Sequence, residues 1–470
     1  MDKGETVLLL ENARLEIDGA RLFSEISMEI RAGEVVLLAG RSGSGKSSLM
    51  HVINGCYPNE DAAVDCSRLE VAGHDMRGKS LLERTAYVRS IFQNARLSFA
   101  MTTPYEEMIF CLENFCFSAD QMEERAAEQA ERYGITPLLH REFSVLSGGE
   151  LQRVAFACAD LVDAPLYLLD EPFANIDEAG IPCFMEQIKR WAGQGKAICI
   201  IDHRLEFWNQ ADRWYLLDEG GKLQEVELPL TDAGVRSLTE NGLLGEMPPL
   251  LGHPCRESVM RLQDVSIFCP DGTPLVRDVS FDLHAGEMVA LVGRSGAGKT
   301  SFFKALLKQF PSCGSIEIMG QSLAKMKKRE LYSWVGLVFQ DPSLQFMAAK
   351  VIEELALSFP DCSASALNEL LDTFHFEAIR HVSPWLISQG QQRRLAFLTM
   401  MGLEKRILFV DEPTYGQDFQ HALSIMTALE HLCRKGLACI FTSHDHRFVR
   451  SFAHRVLRIH EGKMEEVRHA

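Results

Sequence analysis

The chain has 470 residues, 46% of them hydrophobic, and a formal net charge of -17 from 65 acidic and 48 basic side chains. That length supplies roughly two to four ordinary domains, and the acidic balance argues against a protein built mainly to hold a polyphosphate backbone. No run of about 18 apolar residues appears, the Met-Asp-Lys-Gly-Glu start lacks a signal-peptide layout, and thirteen scattered cysteines without a C-x-x-C pair read as thiols of a reducing compartment.

In chain order, the turn Gly33-Glu34 feeds an apolar run, Val35 to Ala39, which reads as a buried parallel strand. It ends in a glycine-rich turn, Gly40, Arg41, Ser42, Gly43, Ser44, Gly45, Lys46, Ser47 and Ser48, which matches G-x-x-x-x-G-K-[ST]. The glycines let the backbone aim successive N–H groups inward, and the helix opened by Ser47 favours an anion at its N-terminus. Lys46 can reach the outer phosphates of a nucleotide, and the Ser47 hydroxyl can ligate magnesium.

Gln93 follows, and residues from about 104 to 145, with good helix formers from Gln121 to Arg132, read as a helical subdomain. Ser147, Gly148, Gly149 and Glu150 then lead into helix-forming residues, a second helix N-terminus suited to an anion. Leu166 to Leu169 is an apolar run ending in Asp170, with Glu171 and Pro172 next, and the run Ala197 to Asp202 ends one residue before His203. Three strands thus deliver reactive residues at their carboxyl ends, where open α/β sheets bind ligands.

The series is then written again. Lys46 repeats as Lys299 at an offset of 253, within Gly293, Arg294, Ser295, Gly296, Ala297, Gly298, Lys299, Thr300 and Ser301. Gln93 repeats as Gln340 at 247, and at 241 the set Ser147, Asp170, Glu171, Asp177 and His203 repeats as Ser388, Asp411, Glu412, Asp418 and His444. The offsets shrink in order, as a duplication that has lost a few loop residues requires. Residues 1–228 and 258–470 read as two domains, and 229–257, with Pro248, Pro249, Pro254 and several glycines, reads as a short linker.

Asp170 and Asp411 can approach a magnesium ion held by Ser47 and Thr300, directly or through water. Glu171 and Glu412 stand where Pro172 and Pro413 force the chain to turn, and can orient or deprotonate a water in line with the terminal phosphate. The residues leave open whether each phosphate loop faces the serine-led helix of its own copy or of the other.

This ordered set resembles the ATP-binding-cassette (ABC) ATPases, as two cassettes covering nearly the whole chain. The resemblance implies an α/β fold of two tandem P-loop NTPase domains, each with a mainly parallel core sheet, an antiparallel β subdomain and a helical subdomain. It implies ATP and Mg2+ as cofactors and head-to-tail pairing of the cassettes. The loop Gly40 to Ser47 would then face Ser388, Gln389, Gly390 and Gln391, while Gly293 to Thr300 would face Ser147 to Glu150. Gln93 and Gln340 would sense the terminal phosphate and the metal, with His203 and His444 on the far side of that phosphate and Asp177 and Asp418 as the D-loop aspartates.

Finer matches, among them Val338-Phe339-Gln340-Asp341-Pro342, Gln389 to Arg394, Tyr415-Gly416-Gln417-Asp418 and Asp202-His203-Arg204-Leu205-Glu206, are similar to the ATPases of energy-coupling-factor importers for vitamins and metal ions. That resemblance implies a peripheral protein on the cytoplasmic face of the membrane. Its partners would be a transmembrane coupling protein and a substrate-binding membrane protein, without nucleic acid. A twin-cassette protein acting on the ribosome is the rival from another class, but it typically carries a long charged helical linker, and a sugar-importer subunit often has one degenerate site. Two signature positions depart from the family pattern, Glu150 for glutamine and Gln389 for glycine, and predict unequal sites. The family's adenine-stacking aromatic has no counterpart near Ile17, and Phe268 is the candidate in the second copy.

Overall fold

Alternating apolar residues make Thr6–Ile17 and Ala20–Arg31 an antiparallel hairpin, closed by Asp18 and Gly19, both at positive φ (51° and 74°) as a two-residue turn between right-twisted strands demands. The computed structural model describes residues 4–174, 176, 180–226, 232–248, 257–294, 296–374 and 376–467. The chain divides into two units, Met1–Leu244 and Gly245–Ala470.

In the first unit the hairpin joins Arg68–Val71, His74–Asp75 and Ala62–Asp65 in an antiparallel sheet. A second sheet runs in the order Leu223–Val226, Arg213–Leu217, Val35–Ala39, Ala197–Ile201, Leu166–Asp170, Val88–Ile91, all parallel except its first pair. Period-two alternation gives this sheet two cores. Leu37, Leu169 and Ile200 pack toward the helices Pro104–Glu113, Ala119–Arg132 and Gly148–Asp160, while Val36, Leu168 and Cys199 pack toward the antiparallel sheet. The second unit repeats the plan within one continuous sheet, because a parallel pairing of Arg277 with Lys463 joins its antiparallel and parallel parts. Its helical part comprises Val351–Ser358, Ala364–Thr373 and Gln389–Gly402. The mainly parallel sheet, antiparallel sheet and helical part expected of each copy are therefore present.

Within the stretch read as a linker, residues 232–240 form a helix, and Leu238 and Leu243 are buried in the core of the first unit. The helix 104–113 starts on a capping box. Thr103 Oγ1 accepts from Glu106 N, Glu106 Oε2 accepts from Thr103 N at 3.1 Å, and Pro104 occupies the first helical position, where its missing N–H costs nothing.

Trp191, on the helix Ile181–Gly193, holds the helical and sheet layers together. Its ring stacks on Tyr167 (4.3 Å between centroids) and Phe156 (5.5 Å), and Nε1 donates to Asp160 Oδ1 at 2.6 Å. Trp191→Ala is expected to destabilise the first unit by about 3–5 kcal/mol, since it leaves a cavity and removes one donor from the partly buried Asp160 carboxylate. Denaturant unfolding followed by circular dichroism reads this as an earlier first transition.

Candidate functional site

Strand order brings the reactive residues together. Val35–Ala39, Ala197–Ile201 and Leu166–Asp170 are parallel neighbours, so their carboxyl ends place the phosphate loop, the Asp170–Glu171 turn and His203 on one edge. Gly45 (φ 97°) and Gly298 (φ 99°) start the helices Lys46–Asn54 and Lys299–Leu306 in a left-handed conformation that a side chain would strain.

In the first unit Lys46 is buried and donates to the carbonyls of Gly40 and Arg41, each at 2.7 Å. The Ser47 hydroxyl hydrogen-bonds to Asp170. Glu171 receives Gln93 Nε2 at 2.8 Å on one oxygen and lies 3.2 Å from His203 Nε2 on the other. Arg41 Nε and Ser44 Oγ are buried beside the loop with no hydrogen-bond partner. A loop with an inward ammonium and orphaned polar atoms fits a polyphosphate, whose oxygens would satisfy both.

The second unit is built alike. Lys299 donates to Gly293 O at 2.6 Å, Thr300 Oγ1 to Asp411 Oδ2 at 2.5 Å and Thr442 Oγ1 to Asp411 Oδ1 at 2.7 Å, and His444 Nε2 lies 3.3 Å from Glu412 Oε1. A cavity of about 190 Å³ is lined by Arg294, Gly296, Gly298, Lys299, Thr300 and Ser301 of the loop, with Leu275, Gln340, Asp411, Glu412 and His444. The carboxylates and hydroxyls around it are hard oxygen donors of the kind Mg2+ takes.

Glu171 and Glu412 both lie in the left-handed region, at φ 45° and 52°, which turns their carboxylates off the strand direction. Their surroundings shift the two carboxyls in opposite directions. Burial pushes Glu171 up, but His203, Gln93 and Lys46 outweigh it and hold the carboxyl below its usual range. Glu412 is pushed up to about 7 by burial, with Asp411 adding to the rise and Lys299 and Arg393 opposing it. Asp170 is pushed up to about 6 by burial and by the neighbouring Glu171.

The serine-led turns are helix caps. Ser147 caps Gly148–Asp160, and the Glu150 carboxylate folds back to accept from Ser147 N and Oγ, both at 2.8 Å. At the helix Gln389–Gly402 the neutral Gln391 takes the same place, accepting from Ser388 N at 3.0 Å. The same box is therefore charged in one unit and neutral in the other. Ser388, Gly390 and Gln391 are not among the described residues that line the cavity beside Lys299. Ser295 and Asp177 lie outside the described residues.

Two contributors were not anticipated. Arg393 donates to the carbonyls of Glu412 and of Gln340, the latter at 2.8 Å, tying the second signature helix to both turns. Thr442 braces Asp411 and receives Glu412 N at 2.8 Å. The repeat carried a signal for the first, because Gln152 stands at the position of Arg393 in the other copy.

A family model described as ABC transporter matches residues 23–174 and again 276–415, more than half of the chain. The chain belongs to the ABC transporter family. Membership makes it an ATP-binding and ATP-hydrolysing protein with two cassettes. Among relatives, the "Putative HMP/thiamine import ATP-binding protein YkoD" of Bacillus subtilis is 32% identical, over 95% of this chain and 88% of its own length. A "Putative ABC transporter ATP-binding protein" of Saccharolobus solfataricus is 29% identical, over 93% of this chain and 88% of its own. Among solved structures, the ABC protein in a model of ribosome-bound archaeal Pelota and ABCE1 matches 97% of this chain and 78% of its own with a TM-score of 0.69 at 21% identity, a likeness of fold.

Proposed function

We propose that this ABC protein is the ATP-hydrolysing subunit of a membrane importer of the energy-coupling-factor type. It would act at the cytoplasmic face and power uptake of a small solute such as a vitamin, a vitamin precursor or a metal ion. The observation that carries this reading is kinship along 95% of the chain with a relative named as an import ATP-binding protein. The two-cassette relatives and a complete set of reactive residues in each unit support it. Among the described residues no helix is long and apolar enough to cross a membrane. The partners in this reading are a transmembrane coupling protein and a substrate-binding membrane protein.

Each residue then has a task. Lys46 and Lys299 exchange their carbonyl partners for the outer phosphates, which the loops Gly40–Ser48 and Gly293–Ser301 cradle. Ser47, Asp170 and Gln93, and in the second cassette Thr300, Asp411 and Gln340, would hold Mg2+, which neutralises phosphate charge when bound. Glu171 and Glu412 accept the proton of the attacking water, and His203 and His444 contact the terminal phosphate. The cassettes, 1–228 and 258–470 joined by 229–257, pair head to tail, so that Ser147–Glu150 and Ser388–Gln391 each close the other cassette's nucleotide. The Glu150 carboxylate at one signature cap makes the two sites unequal, because it adds negative charge where a phosphate must approach.

Tagged full-length chain captured from mild-detergent extracts is expected to bring multi-span membrane proteins with it in comparable amount. Recovery with ribosomal particles and no integral membrane protein would overturn this reading in favour of a ribosome-acting ATPase.

A further inference from the structure

A second cavity, of about 400 Å³, opens in the first unit between the edge strand Val88–Ile91 and the helices Pro104–Glu113 and Gly148–Asp160. Cys111 of the first helix, Cys158 of the second and Arg89 of the strand all line it. Both cysteines are free, Cys111 partly exposed and Cys158 buried, and the Cys158 S–H donates to the Cys111 sulfur across the helix pair. That bond draws Cys111 below the usual thiol range, and Arg89 acts in the same sense, against burial and the Glu107 carboxylate. Cys158 is pushed well above that range by the same bond and by burial, and Cys56, which lines the same cavity, is pushed up by burial. The Arg89 guanidinium lies 4.7 Å from the centre of the Phe115 ring, and its Nε and Nη2 are buried with no hydrogen-bond partner. Glu107 does not engage it, because its Oε2 is committed to the backbone N–H groups of Ala100 and Met101, at 2.8 and 2.9 Å. A thiolate beside a guanidinium, with a second thiol in contact and an opening to solvent, is what a reactive cysteine pair needs.

The second unit supplies the contrast. At the offset of 247 that carries the helix Pro104–Glu113 onto Val351–Ser358, Cys111 becomes Ser358, and at the 241 of the signature helices Cys158 becomes Thr399. Both hydroxyls are buried and donate to carbonyls of their own helices, Ser358 to Glu354 at 3.4 Å and Thr399 to Ala396 at 2.8 Å. The cation is gone as well. Sheet register places Gly336 opposite Leu408 as Arg89 lies opposite Tyr167, and a Cβ at Gly336 would sit 3.0 Å from Leu408 and 3.1 Å from Lys405. The packing positions therefore accept small hydroxyls, and sulfur is not needed to fill them.

We propose that Cys111 and Cys158 are a redox site of the first cassette, joined reversibly as a disulfide by a hydroperoxide, and that the joined form turns over ATP more slowly. The Cys111 thiolate attacks one oxygen of the peroxide; an S–O bond forms, the O–O bond breaks, and the departing oxygen takes a proton and leaves as water. The Cys158 sulfur then attacks the Cys111 sulfur, the S–S bond replaces the S–O bond, and the released hydroxide leaves as water with the Cys158 proton. Two thiols give up two electrons and one peroxide receives them. The tie bears on turnover because one helix follows the turn of Gln93, which donates to Glu171 at 2.8 Å, while the other begins at the Ser147 cap. A covalent bond between them removes the sliding of one packed helix on the other. The inference needs the ATPase activity alone and stands apart from the importer reading.

The test treats the full chain with hydrogen peroxide and then with dithiothreitol. Non-reducing peptide mapping of the oxidised chain is expected to show Cys111 joined to Cys158, and its melting temperature to rise by several degrees. ATP turnover is expected to fall about threefold or more, and dithiothreitol to restore it. Cys111→Ser and Cys158→Thr, which copy the second unit, are expected to keep parental turnover and melting temperature and to stay unmoved by peroxide. Oxidised parent in which both thiols remain free, or in which Cys111 is joined to Cys56 or carried only to sulfinic acid, would overturn the inference. So would a Cys111–Cys158 disulfide that leaves turnover at the parental rate, or equal slowing of the Cys158→Thr chain by peroxide.

Discussion

Replacing Glu171 and Glu412 together by glutamine is expected to slow ATP hydrolysis about a thousandfold, some 4 kcal/mol in the barrier, with ATP affinity little changed. Both carboxylates sit at the end of a buried strand, close to a histidine and to the residues placed to hold metal, yet neither belongs to the phosphate cradle itself. Glutamine keeps the shape and loses the proton acceptor. The single variants should separate the two sites by pH. In Glu171→Gln, turnover depends on Glu412, whose carboxyl is pushed up to about 7; a general base works only when ionised, so the rate should rise as pH climbs through that value. In Glu412→Gln, turnover depends on Glu171, held below the usual carboxylate range, and the profile should already be level at mildly acid pH. Steady-state hydrolysis at saturating ATP between about pH 5.5 and 8.5 checks this. Parental rates in the double variant would remove the assigned role.

Replacing Lys46 and Lys299 by alanine is expected to act one step earlier, on binding. Each ammonium is buried against two carbonyls of its own loop and would give a bound phosphate charge-assisted hydrogen bonds worth about 1.5–3 kcal/mol apiece, so ATP affinity should fall by roughly a hundredfold at each altered site. The readout is ligand-induced stabilisation. The parent's melting temperature should climb with ATP concentration, and the double variant should need about a hundredfold more ATP for the same rise, because a site shifts the unfolding equilibrium only as far as it fills. Without nucleotide the variant should melt close to the parent, since the lysines donate to carbonyls of their own loops, with His444 at 3.3 Å from Lys299. Different patterns are thus expected: binding without turnover for the glutamates, weakened binding for the lysines.

Much of this site was legible in the residues because its chemistry is local. A phosphate loop is a run of adjacent residues whose glycines and lysine act through neighbouring backbone, and an apolar run ending in Asp-Glu-Pro announces a buried strand whose last residues meet solvent. The duplication made chance matches untenable. Less legible was whatever depends on contacts distant in sequence. Arg393, 19 residues before Glu412 and 53 after Gln340, is one of two adjacent arginines on its helix until the fold lays it against both carbonyls. The same holds for Glu412 and Glu171, which look identical in the sequence but carry different proton affinities.

What the chain's own letters determined is the inventory: two cassettes, two lysine loops, two carboxylate-ended strands and two serine-led helices, each set by residue types at short spacing. What only the tertiary structure decided is how equal the copies are. A buried charge takes its energy from every group within a few ångströms, so one strand edge holding Arg89 and the other Gly336, or one cap holding a carboxylate and the other an amide, acquires physical meaning only once the surroundings are assembled.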